Sequence, residues 1–331
     1  MKKYFILLLL IIIFSLSACS NSNQTEAGKQ GKVITFGHEY NESHSLHAGA
    51  VKFKEKLEEL SDGEITVEIH NNGSLGDNEE MHQQLLMGNL DAHISNVVFY
   101  TGEHPQAMVD ELPFIYQEVS NWYDAWDGEF GGAIQSEVFD QAGVTNLGNW
   151  GVGFRHFTNN VRPITTPEDM EGIKFRSASS PIRLKMFEVL GGNAISMPLP
   201  ELFTGLQQGT VDGMDNPLIT IESGSFEEVQ DYLSLSGHIF TGMNVLFNTD
   251  NLNSFTEEEQ DWIQTAMDGA TSHQRNVTAE NEEKILESFE SVIEINEVDY
   301  DAFLNAVQPV YDYYREEFGD NGWIEMIQEV Q

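Results

Sequence analysis

The chain has 331 residues, 54 of them acidic and 16 basic, for a formal net charge of -38. So strong an acidic excess repels polyanions and excludes nucleic acid and anionic lipid head groups as partners. The one cysteine, Cys19, cannot form an internal disulfide, and its place near the amino terminus argues against a catalytic thiol.

Lys2 and Lys3 precede an apolar run from Tyr4 to Phe14 that is shorter than the roughly 20 residues a spanning helix requires. Residues 1–19 therefore read as a secretion signal rather than an anchor helix. The quartet Leu16-Ser17-Ala18-Cys19 resembles the bacterial lipoprotein cleavage box, which implies that Cys19 becomes the lipidated first residue of an exported chain. Residues 20–32, rich in Asn, Gln, Ser and Gly, read as a flexible tether. Loss of Lys2 and Lys3 leaves 14 bases against 54 acids, a net charge of -40. That value fits a saline or alkaline exterior, where screening over about 8 Å or less blunts self-repulsion.

The remainder suffices for two domains. Leu46, Ala50, Phe53, Leu57 and Leu60 recur at helical spacing, and Ser61-Asp62-Gly63 stops that helix. Ile65, Val67 and Ile69 alternate with polar residues as a strand, Asp77 to Met87 is a second helix closed by Gly88, and Asp91 to Val98 is a buried strand. Alternation of strand and helix predicts a largely parallel sheet covered by helices, with ligands at the carboxyl ends of its strands.

The pattern resumes with a strand near Val144 to Asn149, a capped turn at Thr166-Pro167-Glu168-Asp169, and a strand from Gly172 to Ser177. Ser180-Pro181 then opens a helix ended by Gly191-Gly192. A short helix from Pro200 to Gln208 and a strand from Val211 to Met214 lead to Asn216-Pro217, where proline is expected to hold Asn216 in a turn. Thr256 and Glu259 form a capping box for a helix running to about Ser291, with a break expected at Asp268-Gly269. At roughly 36 residues it would span about 50 Å, long enough to lie across two lobes. Asp299 to Phe318 supplies a last helix.

Against this acidic background four of the six arginines, Arg155, Arg162, Arg176 and Arg183, fall in one stretch. A guanidinium presents donors in a plane that matches a carboxylate, so the stretch points to capture of a small organic anion. Arg176 ends a strand just before a helix amino terminus, where charge, forked donors and helix dipole converge. Arg162 and Arg183 are expected on the surface. His44 and His47, at i and i+3, have a spacing compatible with metal ligation, but no dense ligand motif accompanies them and no metal is expected. Phe99, Trp150, Phe154 and Phe203 are expected in the core. No phosphate loop, Gly-x-Ser-x-Gly elbow or His-Glu-x-x-His is present, so catalysis is not expected.

Residues 172–217 read GIKFRSASSPIRLKMFEVLGGNAISMPLPELFTGLQQGTVDGMDNP. This run resembles the signature of the solute-binding proteins of tripartite ATP-independent (TRAP) transporters, in their dicarboxylate-binding-like branch. Ser74-Leu75-Gly76, Leu112-Pro113-Phe114 and Gly153-Phe154-Arg155 also resemble the family. The resemblance implies an α/β fold, a two-lobed periplasmic-binding-protein-like clamshell with a long helix crossing both lobes. Lobe I is expected over residues 33–152 plus about 243–280, and lobe II over 153–242 plus about 281–331. It further implies a receptor that closes on a carboxylate solute and hands it to integral membrane permease subunits; with the lipoprotein box, a lipid-anchored extracytoplasmic monomer without a cofactor is expected. Arg176 matches the family's main carboxylate anchor, Arg155 a second basic contact and Asn216 a polar contact. Ser95 and Asn96 match a ligand-facing strand end, and His38 to Asn41, including Glu39, occupies the first strand-to-helix loop.

A uronate-like sugar acid would use one carboxylate and several hydroxyls, which suits His38, Glu39, Asn41, Ser95, Asn96 and Asn216. A C4-dicarboxylate would require cations at both ends, and with Arg155 and Arg176 together a C4-dicarboxylate or keto acid stays open. A metal- or peptide-binding lipoprotein is the more distant alternative.

Overall fold

The computed structural model describes residues 31–319 and 321–331. The signal and Cys19 lie outside the described residues, as does most of the tether. Its expected end is corrected: Lys32 already belongs to the first strand, paired with Ile65, and its Nζ lies 2.6 Å from Glu259.

Strand and helix alternate at the start through β1 (Lys32–Gly37), α1 (Ser45–Leu60), β2 (Ile65–His70), α2 (Asn78–Leu86) and β3 (Ala92–Ser95). The helical spacing of Leu46, Ala50, Phe53 and Leu57 places all four on one fully buried face of α1. Asp77 caps α2 in a reciprocal box with Glu80. Two 3₁₀ turns, Val97–Tyr100 and Pro105–Glu111, lead into α3 (Val119–Trp126) and α4 (Glu129–Ile134).

Then comes β4 (Val144–Asn159), far longer than the strand expected there. It is followed by β5 (Lys174–Ser177), α5 (Pro181–Val189), β6 (Asn193–Ser196), α6 (Leu199–Gln207) and β7 (Gly213–Pro217). Next are α7 (Leu218–Ser223), β8 (Tyr232–Leu235), β9 (Phe240–Asn248) and α8 (Thr249–Asn253). The chain ends through α9 (Glu257–Phe289), β10 (Glu294–Glu297), α10 (Tyr300–Ala306), α11 (Gln308–Glu317) and α12 (Trp323–Gln328).

The strand order is β2-β1-β3-β9-β4-β7-β5-β6, with β8 on β4 and β10 on β8. The sheet is mixed rather than largely parallel. Its outer pairs β1–β2, β1–β3, β5–β6 and β5–β7 are parallel, as the strand–helix alternation requires. The two long strands break the rule: β9 runs antiparallel to β3 and to the first part of β4, while the last part of β4 pairs antiparallel with β7 and β8. One strand thus serves both halves of a two-lobed molecule. Its pairing with β9 is interrupted by register shifts at Asn146/Gly148 and Gly151/Gly153. Gly153 has φ +126, a conformation that side chains with a Cβ disfavour, so glycine is required where β4 passes from one half to the other.

Helix α9 contains 33 residues and does not break at Asp268-Gly269. Gly269 is a packing position instead: a Cβ there would come within 2.4 Å of the Lys56 side chain on α1. The helix packs along α1, crosses β4 and reaches α7. Gln274 and Thr278 of α9 both donate to the Gly151 carbonyl, at 2.7 and 3.2 Å, which ties the strut to the crossing strand. The single helix expected over Asp299 to Phe318 is two, because Pro309 cannot donate its amide and the turn at Val307 separates α10 from α11.

Candidate functional site

Three strand ends bring the basic residues together. β5 delivers Arg176 at its carboxyl end, in register with Met214 of β7. β4 delivers Arg155 opposite Pro217 of β7, which leaves Asp215 as its diagonal neighbour two residues along. Asn216 is therefore inside strand β7, paired with His156, and not in the turn expected from the following proline. The amino terminus of α5, capped by Ser180 Oγ, adjoins them. These elements and the loops after β1 and β3 enclose a cavity of about 360 Å³.

Arg155 is held in place by its own protein. Its Nε donates to Asp215 Oδ2 at 2.5 Å, Nη2 to the Asp215 carbonyl and to Asn216 Oδ1 (3.1 Å), and Nη1 to Thr241 Oγ1 at 3.2 Å. Asp215 is fully buried. Burial pushes its carboxyl upward, but Arg155 and His238 outweigh that and hold it well below the usual carboxylate range. His238 faces Asp215 Oδ2 at 3.3 Å and Ser236 Oγ at 2.7 Å, and its ring stacks on Phe157 with centroids 4.1 Å apart. Burial keeps His238 below its ordinary pKa against the pull of Asp215, so it is neutral and aligns the carboxylate that aligns Arg155.

Arg176 differs. Its Nε donates to the Met197 carbonyl at 2.8 Å, and among the described residues neither Nη has a protein partner. The side chain lines the cavity and is 4% exposed. Burial, then the proximity of Arg155, lower its pKa to about 10, so it remains a cation at neutral pH. A desolvated, charged fork with both Nη groups free is what a carboxylate needs.

Arg183, expected on the surface, is a correction. It is 5% exposed, lines the same cavity, and grips Glu111 with both arms, Nε to Oε2 and Nη2 to Oε1 at 2.6 Å. Its place in the first turn of α5 points it inward, a direction that one residue's average exposure does not reveal. Arg162 is half-buried and spends Nη1 on the carbonyls of Asp169 and Glu171.

Another part of the cavity is acidic and polar. Glu39, Tyr40, Asp77, Asn78, Glu79 and Asn96 line it. Burial pushes the Glu39 carboxyl up to about 7, assisted by Asp77 and opposed by Arg176. Asn78 Nδ2 donates to Glu39 Oε1 at 3.4 Å. Asn96 donates to the Gly242 carbonyl (3.1 Å) and accepts from the Val98 amide (2.8 Å), leaving one N–H and one lone pair of its amide.

Of the residues singled out from sequence, Arg176, Arg155, Asn216, Asn96 and Glu39 converge on the cavity. His38 and Ser95 do not line it: both are fully buried, and His38 Nε2 faces His47 Nδ1 at 3.2 Å. His44 serves as the cap of α1, accepting from the Leu46 amide. Among the described residues no three His, Cys, Asp or Glu side chains cluster as a metal site. Phe99 is part of the cavity wall rather than core, whereas Trp150 is fully buried. Sequence reading missed Glu111, Asp215 and His238, while Tyr40 lies within the His38 to Asn41 loop it had named. Of those three, only Asp215, adjacent to Asn216, carried a local signal.

The profile of the family described as bacterial extracellular solute-binding protein, family 7, matches residues 36–317. The 2,3-diketo-L-gulonate-binding periplasmic protein of Escherichia coli is 29% identical over 299 residues, covering 90% of this chain and 89% of its own length. Among solved structures, a TRAP periplasmic solute-binding protein from Sulfitobacter with bound β-D-galacturonate has a TM-score of 0.85 at 30% identity, covering 90% of this chain and 98% of that one. Another, from Sulfurospirillum deleyianum with bound succinate, has a TM-score of 0.85 at 28% identity, with 91% and 99% covered.

Proposed function

Because this chain belongs to the bacterial extracellular solute-binding proteins of family 7, the receptors of TRAP transporters, we propose that its solute is a sugar acid carrying one carboxylate. Members of this family bind small carboxylates and work with membrane permease components. The observation that carries the narrower reading is the charge pattern of the cavity. Of three buried guanidinium groups, Arg155 is matched by Asp215 and Arg183 by Glu111, and among the described residues only Arg176 lacks a carboxylate partner. One anchor takes one carboxylate. Glu39, Asp77 and Glu79 share the lining; they accept hydrogen bonds from hydroxyls and, when ionised, repel a second anionic group.

A charge-assisted hydrogen bond contributes roughly 1.5–3 kcal/mol net. A bidentate contact on Arg176 with hydroxyl contacts from Asn216, Asn96 and Glu39 is thus sufficient for micromolar affinity, about -8 kcal/mol. The galacturonate and 2,3-diketo-L-gulonate names of the relatives support this class. The succinate-bound relative makes a four-carbon di-acid the second reading.

The proposal extends to the lobes and the membrane. Lobes I and II divide near residues 152/153 and 242/243, where β4 and β9 cross, and rock about the irregular pairing at Gly151/Gly153 to dry the bound acid. The receptor acts as a monomer outside the cytoplasm, tethered by lipid on Cys19. A thermal-shift screen tests the solute: galacturonate, glucuronate or galactonate at 100 times its dissociation constant stabilises the protein by about 2.7 kcal/mol. Stabilisation by succinate with none by these sugar acids would refute the reading.

A further inference from the structure

The Arg183–Glu111 pair has the geometry of a bound ligand, except that the acid belongs to the protein. Both side chains line the cavity, 5% and 2% exposed, and the carboxylate accepts from Nε and Nη2 of one fork as a solute's carboxylate would. The other internal pair is arranged differently. Asp215 is sealed beneath Arg155, does not line the cavity, and shares His238 as a second partner. Glu111 therefore occupies, at the surface of the cavity, the position where a second ligand acid would meet a second guanidinium.

We propose that Glu111 is a specificity-determining residue: by occupying the Arg183 fork it withholds a second carboxylate site and restricts the receptor to mono-acids. The inference rests on the assignment of Arg176 as the anchor. Burial makes the effect steep. A di-acid entering the wild-type cavity brings its second charge beside the Glu111 carboxylate in a water-poor site, whereas a hydroxyl at the same place has acceptors available. With glutamine at 111 the volume is kept and the charge is lost, leaving Arg183 uncompensated and facing the cavity.

The test uses galactonate and galactarate, straight-chain acids that differ only in a far-end hydroxymethyl or carboxylate, with galacturonate alongside, titrated by calorimetry into the exported domain. Wild type is expected to bind galactarate at least tenfold more weakly than the better of the two mono-acids. Glu111→Gln shifts that ratio at least tenfold toward galactarate, and adding Arg183→Gln returns it to the wild-type value. Equal binding of galactarate by wild type, or an unchanged ratio in a Glu111→Gln protein whose circular dichroism matches wild type, overturns the proposal.

If the single variant does not fold, the double variant decides. Mono-acid affinity within tenfold of wild type supports a self-neutralised pair, and a larger loss overturns it by making Arg183 an anchor. A wild type that binds none of the three refutes the sugar-acid reading alone. The charge argument is then decided by succinate against 4-hydroxybutyrate, which differ by the same replacement, and a preference for succinate overturns it.

Discussion

Replacing Arg176 with lysine keeps the charge and removes the fork. In the native site the Nε–H is spent on the Met197 carbonyl at 2.8 Å, which orients the guanidinium plane and leaves both Nη groups for the solute. A lysine ammonium in the same place divides its donors between that carbonyl and the ligand from a single point, so one of two charge-assisted bonds is lost. Each is worth roughly 1.5–3 kcal/mol, and 1.4 kcal/mol is a factor of ten, so affinity should fall by about 12- to 150-fold. The measurement is isothermal titration of galacturonate into wild type and Arg176→Lys, with Arg162→Lys as a control that leaves binding unchanged. The same substitution should not unfold the protein, because burial and then the neighbouring Arg155 disfavour the Arg176 cation in the ligand-free state, and its one protein hydrogen bond, to the Met197 carbonyl, is also within the chemistry of an ammonium. Binding by Arg176→Lys within threefold of wild type, at unchanged stoichiometry, would refute the bidentate anchor.

Asp215→Asn leaves Arg155 buried beside a neutral partner and should destabilise the protein by about 3–5 kcal/mol in urea denaturation; a loss below 1 kcal/mol would show that Thr241 and Asn216 alone satisfy Arg155. His38, His44 and His93 are buried, and desolvation holds each at about 3 against an ordinary 6.5. The unfolded chain takes up these protons first, so stability falls as pH drops from 6.5 toward 3, by up to about 1.4 kcal/mol per pH unit for each group. Urea midpoints between pH 6.5 and 5 should show this, and His93→Gln should remove one proton's share of the slope; an unchanged slope refutes it. Glu39 has the opposite sign: with its pKa raised from 4.5 to about 7, its contribution to stability is full below 4.5 and disappears as pH rises through 7. The melting temperature of Glu39→Gln minus that of wild type should therefore grow from pH 4.5 to 7 and level off above, and a difference independent of pH would show that Glu39 is not desolvated.

Local chemistry made much of this molecule legible before any fold was known. The 3.6-residue spacing in α1 sets its buried face, the box at Thr256 and Glu259 starts α9, and Ser180-Pro181 starts α5, because each depends on neighbours within a few residues. Scarcity of positive charge singled out Arg155 and Arg176, and both line the cavity. What sequence could not supply was pairing across long separations. Strand β4 runs antiparallel to β9, β7 and β8 because it is shared between the two halves, and no local pattern records which strands will meet. The same limit explains Arg183: its partner Glu111 is 72 residues away and on a different element. Average exposure places an arginine outside, and only the folded chain reveals a carboxylate waiting inside. Residue type and spacing thus pointed to a small acid met by a guanidinium, while tertiary structure decided which of the three guanidinium groups lining the cavity has no carboxylate partner among the described residues, since that depends on where Asp215 and Glu111 come to rest.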